Sequence, residues 1–356
     1  MIKYWEGCQI HTALQKNNSK FKGEITMLKG LYILNESAFK DIYGQAEQEE
    51  IAKLVDIYAP PQTAQSVKEN PSVLRDAEVI FSGWGGPKMD EDFLAHAPNL
   101  KAVFYGAGSV KGIVTDALWD RGIIVTSAYA ANAIPVAEYT ISQILFCLKR
   151  GWHFALYIKR EGKYPKRDWV PGAYGSTVGI ISLGMIGRRV CRLLRNFDLK
   201  VIAYDPFVKP EEAQQLGVEL CSLDDVFKRA DVVSLHTPWL KETEGMITGR
   251  HFELMKPNAS FINTARGAIV RENEIIEVLK RRPDIQVVLD VTYPEPPELG
   301  SPLYTLPNVI LTPHIAGSLC KECNRMGRYM VDELKRYING EPLQWQITRE
   351  KIAIMA

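Results

Sequence analysis

Apolar positions along this chain fall into short unbroken runs rather than strict alternation. Residues 31–34, 55–58, 79–82, 102–105 and 123–126 are the candidates in the first third, with Asp56 interrupting the second, and 79–82 and 102–105 end at the glycine-bearing clusters 83–87 and 106–109. Between them, 38–42, 47–53, 90–95 and 114–121 place apolar residues at helical spacing. A strand covered on both faces reads as a continuous apolar run, and strands alternating with helices predict a parallel sheet with helices on both faces. The pattern repeats from residue 178 to 312, with runs at 178–181, 200–204, 232–235, 260–262, 287–290 and 309–311. Between the blocks, 135–150 reads as one long helix with the stripe Ile141, Ile144, Leu145 and Leu148. Pro135 is placed to open that helix and Gly151 to close it. Residues 159–176 read as a charged, aromatic surface segment. After Ser318, the positions Met326, Tyr329, Met330, Leu334 and Ile338 predict one more helix, closed by Gly340. Residues 1–26 have no clear periodicity and read as an extension ahead of a domain that starts near Met27.

The glycines at the head of the second block carry the first chemical signal. Residues 177–189 read Thr-Val-Gly-Ile-Ile-Ser-Leu-Gly-Met-Ile-Gly-Arg-Arg, and Val190, Leu193, Leu194 and Phe197 follow at helical spacing. Ser182, Gly184 and Gly187 give S-x-G-x-x-G between a strand and a helix, one residue from the dinucleotide fingerprint. Gly184 lets backbone approach a pyrophosphate, and Gly187 lets helix and strand pack closely. The helix start offers free N–H groups to phosphates. Asp205 ends the next strand, 21 residues after Gly184 (205 − 184). An acid there accepts hydrogen bonds from a ribose, and no arginine adjoins it to hold a 2′-phosphate, which favours NAD. Ser182 stands where the first fingerprint glycine belongs.

Ligands of open parallel sheets bind beyond the carboxyl ends of the strands. Three such ends carry chemistry: Asn263-Thr-Ala-Arg266-Gly267, Asp290-Val-Thr-Tyr-Pro-Glu295-Pro, and Thr312-Pro-His314-Ile-Ala-Gly317. An arginine holds a carboxylate by two parallel hydrogen bonds. A histidine gives or takes a proton at neutral pH, and a glutamate beside it favours the imidazolium. With NAD on the same rim, Arg266, Glu295 and His314 make a set for hydride transfer to a 2-keto acid.

Composition narrows the class. The 356 residues suffice for about two domains, 46% are apolar and 24% charged, and the net charge of +1 implies no general attraction to nucleic acid or an anionic membrane. No apolar run approaches a membrane span, and no signal-peptide core is visible. Six scattered cysteines read as free thiols in a reducing, cytoplasmic setting. Cys320-x-x-Cys323 reads as two thiols in a helix, and no metal site is expected.

Together, His236-Thr-Pro238, Asn263-Thr-Ala-Arg266-Gly, Asp290-Val with Glu295-Pro, and Thr312-Pro-His314-Ile-Ala-Gly317 resemble the successive signatures of the D-isomer-specific 2-hydroxyacid dehydrogenases. The resemblance implies an α/β protein of two Rossmann-like, doubly wound parallel-sheet domains. Residues 1–133 plus 319–356 would form a discontinuous substrate domain, with 1–26 its extension, and 134–318 an inserted NAD domain through which the family usually dimerises. It implies that His314 is the acid/base, Glu295 its partner, and Arg266 the holder of the substrate carboxylate and carbonyl. Ala107 and Gly108 would bind substrate along with Arg266 and His314. Gly184, Met185, Ile186, Gly187, Asp205, His236, Thr237, Pro238, Thr264, Ala265, Arg266, Asp290, His314 and Gly317 would contact NAD. Asn132 and the helix bearing Glu138 match the crossing between domains.

Three positions depart from the family pattern: Ser182, the loop Gly106-Ala-Gly-Ser-Val-Lys111 with an extra residue and no aspartate, and Thr292 where an aromatic residue is common. The reading is an NAD-dependent enzyme interconverting a 2-keto acid and a D-2-hydroxy acid, expected as a homodimer. The competing reading is an NAD-responsive regulator on the same fold. Residues 83–87, 105–111 and 164–174 are expected to shape the pocket, where Trp84, Tyr105 and Trp169 allow a bulky or ring-containing substrate without demanding one.

Overall fold

A computed structural model describes residues 27–355 of the chain. The extension 1–26 lies outside the described residues. Thirteen strands fall into two sheets. In chain order they are β1 (Leu28–Ile33), β2 (Val55–Ile57), β3 (Val79–Ser82), β4 (Ala102–Tyr105), β5 (Ile124–Ser127), β6 (Thr177–Ile181), β7 (Lys200–Tyr204), β8 (Glu219–Leu220), β9 (Val232–Leu235), β10 (Ser260–Asn263), β11 (Gln286–Leu289), β12 (Val309–Leu311) and β13 (Gln346–Ile347). The first sheet runs β13-β5-β4-β3-β1-β2, and the second β12-β11-β10-β9-β6-β7-β8. Both are parallel except for β13, which pairs antiparallel with β5.

Each sheet reverses its winding direction once. In the first this occurs between β1 and β3, and in the second between β6 and β9. A crevice opens where the strand order reverses, and there a doubly wound sheet binds its ligands. The central strands β3, β4, β9, β10 and β11 are buried along their whole length. Helices cover both faces of each sheet, which is why the apolar runs carry no alternation.

The helix Tyr129–Leu148 joins the two sheets. Its first turn places Ala131 in the core around Phe81 and Phe104. Its later turns place Ala137, Ile144 and Leu148 in the core around Val178 and Val190. Sequence reading opened this helix at Pro135, but it begins six residues earlier, at Tyr129, and Pro135 lies buried inside it. The missing N–H of Pro135 costs one helical hydrogen bond, and packing on two cores outweighs a local propensity of this kind. Gly151 does not close the helix either. Arg150 takes the left-handed turn (φ 51°), and Gly151 starts a new helix, Gly151–Glu161, where a Cβ would lie 2.4 Å from the Phe146 ring. The segment 159–176, read as surface, thus continues a helix over its first three residues.

The tail is also more than one helix. Cys320–Glu322 forms a 3₁₀ turn, Cys323–Asn339 is the main helix, and β13 and the short helix Arg349–Ile352 follow. Met326, Met330, Val331 and Leu334 return the chain to the first core. Glu333, 1% exposed, accepts hydrogen bonds from the amides of Gln344 and Trp345 at 3.1 and 3.0 Å and so aims β13 at β5. Cys323 is buried and its thiol donates to the Ser318 carbonyl, while Cys320 is exposed in the turn. Among the described residues, no helix is long and apolar enough to cross a membrane.

This helix sits so close to Glu36–Ile42 that a Cβ on Gly327 would lie 1.9 Å from the Ile42 carbonyl oxygen. Gly327→Ala is expected to push the two helices apart and lower stability by about 1–3 kcal/mol. Thermal unfolding followed by circular dichroism checks this, and an unchanged midpoint would refute the close approach.

Candidate active site

The dinucleotide signal lies at the switch point of the second sheet. Gly184 is the N-cap of the helix Met185–Leu194 and supplies no side-chain cap, so the first-turn N–H groups remain open to an anion. A Cβ on Gly184 would meet nothing within 4 Å, whereas one on Gly187 would lie 2.1 Å from the Ser182 carbonyl oxygen. The first position leaves room for a ligand and the second lets the helix pack on β6. Ser182 adopts φ +75°, the left-handed region in which glycine is normal. Its hydroxyl pairs with that of Thr237 at 2.8 Å, which ties the end of β6 to the end of β9. The departure at Ser182 therefore keeps the backbone shape a glycine would provide.

Asp205 ends β7. One carboxylate oxygen accepts from the Leu183 amide (2.7 Å), and the other from Phe207 and Val208 (2.9 and 3.2 Å). A carboxylate offers about four acceptor sites, so capacity for a hydroxyl remains. His236 follows β9 and is buried; its Nε2 meets Ser234 Oγ at 3.0 Å, while Nδ1 is buried with no partner. Burial pushes its pKa down to about 3, so the ring is neutral. Met185 is exposed, Thr237 is buried and Pro238 is half-buried. An open approach at Gly184, an uncapped ten-residue helix, an acid on the next strand and an orphaned ring nitrogen across the switch point fit a dinucleotide.

The end of β10 holds Arg266. The Asn263 side chain accepts from the Ala265 amide (2.9 Å) and donates to the Arg266 carbonyl (3.1 Å), which folds the loop around the arginine. Thr264 contacts Thr140 of the connecting helix, hydroxyl to hydroxyl at 3.3 Å. Gly267 admits the next strand end, since a Cβ there would lie 2.0 Å from the Thr292 carbonyl carbon. Arg266 donates to the Ala265 carbonyl at 2.6 Å. Burial lowers its pKa, and the neighbouring Glu295 opposes this.

Glu295 meets His314 Nδ1 at 2.6 Å, both side chains being about half exposed. His314 lies in the left-handed region at φ +54°. Its amide donates to the Asp290 and Thr312 carbonyls at 3.0 and 2.9 Å. The Asp290 carboxylate, 2% exposed, accepts from Thr312 Oγ1 (2.6 Å) and from the amides of Ile315 and Ala316 (2.9 Å each). The resemblance assigns Asp290 to the cofactor. In the fold its oxygens hold the turn that presents His314, and Tyr139 of the connecting helix extends the network to Thr312 at 2.9 Å. Arg266, Glu295 and His314 thus stand on adjacent strand ends.

The first sheet contributes the loop after β4. Ser127 donates to the carbonyls of Ala107 and Gly108 at 3.0 and 2.5 Å. The amides of these two residues make no hydrogen bond among the described residues, which leaves two donors for an anion. Asn132 bridges the sheets: its Oδ1 accepts from Ser318 N at 2.8 Å, and Cβ atoms placed on Gly108 and Gly317 would both lie within 3.4 Å of its side chain. Sequence reasoning missed Tyr139, and it missed the placement of Lys111, whose Nζ donates to the Trp239 carbonyl at 3.0 Å. The charged Lys111 at the end of a loop of small residues was the available sign of the second.

Glu272 supports the site from behind by accepting from the Tyr293 amide at 2.5 Å. Burial pushes its pKa from 4.5 up to about 7, and that hydrogen bond offsets only part of the rise. The folded chain therefore holds a proton that the unfolded chain releases. This stabilisation is complete below the unfolded value and lost as the pH rises through about 7. Glu272→Gln is expected to gain stability relative to the parent between about pH 5 and about pH 8, read from urea midpoints. A difference that does not vary with pH would contradict the raised pKa.

Residues 142–316 match the family described as D-isomer specific 2-hydroxyacid dehydrogenase, NAD binding domain. A D-3-phosphoglycerate dehydrogenase from Archaeoglobus fulgidus is 34% identical over 72% of this chain and 49% of its own length. The chain spans about half the length of such relatives. A glyoxylate reductase from Thermococcus litoralis is 32% identical over 71% of this chain and 78% of its own. The solved structure of a D-lactate dehydrogenase from Aquifex aeolicus, complexed with NAD and lactic acid, superposes with a TM-score of 0.68 at 29% identity, covering 88% of this chain and 96% of that one. With NAD as the cofactor of the matched domain, this chain belongs to the D-isomer-specific 2-hydroxyacid dehydrogenase family.

Proposed function

We propose that the protein interconverts a 2-keto acid and a D-2-hydroxy acid. The observation that carries this reading is the 2.6 Å pair of His314 Nδ1 and Glu295, with Arg266 beside it on the neighbouring strand end. Glu295 engages Nδ1 and so leaves Nε2 to face substrate. His314 gives its proton to the carbonyl oxygen in reduction and takes it from the hydroxyl in oxidation. The carboxylate offsets the charge of the imidazolium. Arg266 and the free amides of Ala107 and Gly108 hold the substrate carboxylate and fix which face of the carbonyl is presented. Bound NAD supplies the hydride acceptor, or NADH the donor, at the switch-point crevice. In this reading residues 134–318 carry the cofactor, and 27–133 with 319–355 carry the substrate loops. An intact His314–Glu295 pair favours catalysis over a purely regulatory role.

We infer a homodimer as well. The helix Gly151–Glu161 has no buried residue although it is rich in aromatic and aliphatic side chains. Tyr164, Trp169 and Tyr174 beyond it are 87, 78 and 87% exposed. Large aromatic side chains exposed this far over one stretch of chain fit burial against a second copy.

His314→Ala is expected to lower turnover by at least about two orders of magnitude, the usual scale of general acid–base help. Loss of NADH absorbance with a panel of 2-keto acids measures this, and near-normal turnover in the variant would remove the assignment. Trp169→Glu is expected to shift the protein from dimer to monomer in light scattering while its circular dichroism stays unchanged. An unaltered mass would place the interface elsewhere.

A further inference from the structure

Lys111 departs from the family pattern and is placed where it bears on substrate choice. It ends the loop that carries Ala107 and Gly108 on the first sheet, yet its ammonium reaches the second sheet and donates to the Trp239 carbonyl at 3.0 Å. That bond uses one of three donors. No carboxylate of the described residues lies within 4.0 Å of the amine, and none lies within 4.0 Å of the Arg266 guanidinium. The two cations are close enough to act on each other: partial desolvation, then the charge of Arg266, lowers the Lys111 pKa. Two like charges this close repel, and Glu295 acts on Arg266 but not on Lys111, so a ligand that supplies negative charge at Lys111 relieves the repulsion.

The charges in the crevice set the count. His314 and Glu295 engage each other. Arg266 and the amides of Ala107 and Gly108 take the carboxylate next to the reacting carbon. Lys111 remains. We propose that Lys111 is a second anion-binding group of this cleft, and that the substrate is a 2-keto or 2-hydroxy acid bearing a second anionic group, carboxylate or phosphate, at its far end. This rests on the oxidoreductase reading above. Lys111 acts on substrate selection and takes no part in the proton or hydride transfer.

Matched pairs of acids test it: 2-oxoglutarate against 2-oxopentanoate for a carboxylate, and phosphohydroxypyruvate against hydroxypyruvate for a phosphate. Binding to the NADH-loaded protein is measured by calorimetry, and NADH oxidation separately. In at least one pair the acid with the second anionic group is expected to bind about tenfold tighter or more, the scale of a charge-assisted hydrogen bond. The pair that responds identifies the anion. Lys111→Met is expected to erase that ratio and Lys111→Arg to keep it. The ratio should also shrink with added salt, because Lys111 is partly exposed. Equal binding within both pairs overturns the proposal, as does a Lys111→Met variant that weakens both members of a pair equally. A Lys111-dependent preference without NADH oxidation would refute the oxidoreductase reading and leave the anion site standing. Oxidation on acids of either kind without a preference would do the reverse.

Discussion

A buried carboxylate whose partners are one hydroxyl and two backbone amides organises the rim of the second sheet. Asp290 sits at the end of β11, and leaving its charge undonated at 2% exposure would be costly. The cheapest donors within reach are Thr312 and the amides of Ile315 and Ala316, and taking them forces the chain after β12 into a tight turn. That turn sets His314 at φ +54°, a conformation it would not adopt unaided. The position of His314 therefore follows from satisfying a neighbour's charge. The close contact of Gly267 with Thr292 then locks the Arg266 loop to the same scaffold.

The cofactor crevice is built by a different means. There the backbone does most of the work: an uncapped helix, a glycine with open space before it, and another pressed against β6. The Ser182–Thr237 hydroxyl contact joins the two strand ends on either side of the switch point. One side of the active site thus depends on main-chain geometry and the other on side-chain hydrogen bonding. Asn132 and the helix Tyr129–Leu148 hold the first sheet's loop against both.

The strands were legible because parallel strands buried on both faces leave unbroken apolar runs, and β3, β4, β7, β9 and β12 coincide with theirs. The two-residue strands β8 and β13 leave no such mark; β13 exists because Glu333 gathers two amides across a turn. Pro135 misled because local propensity ranks it as a helix opener, while burial of Ala131 and Ala133 on the preceding turn extends the helix past it. The chemistry-bearing residues were legible as motifs, since Arg266, Glu295 and His314 each end a strand of one sheet. Their mutual support was not. Nothing in the spacing of Asp290 distinguishes a ligand contact from the anchor of a neighbouring turn, and the reach of Lys111 to Trp239 crosses between sheets that the sequence separates by more than a hundred residues.

That crossing has an evolutionary consequence. The side chains proposed to move the proton and grip the carboxylate, His314 and Arg266, lie on one sheet, whereas Lys111, the Ala107 and Gly108 amides and the loop at 83–87 belong to the other. Mutational drift in the first sheet's loops can change which molecule is admitted while the reacting groups keep their places. A lineage built this way can acquire new metabolites by editing a few residues of one loop, and Lys111 stands at the end of such a loop.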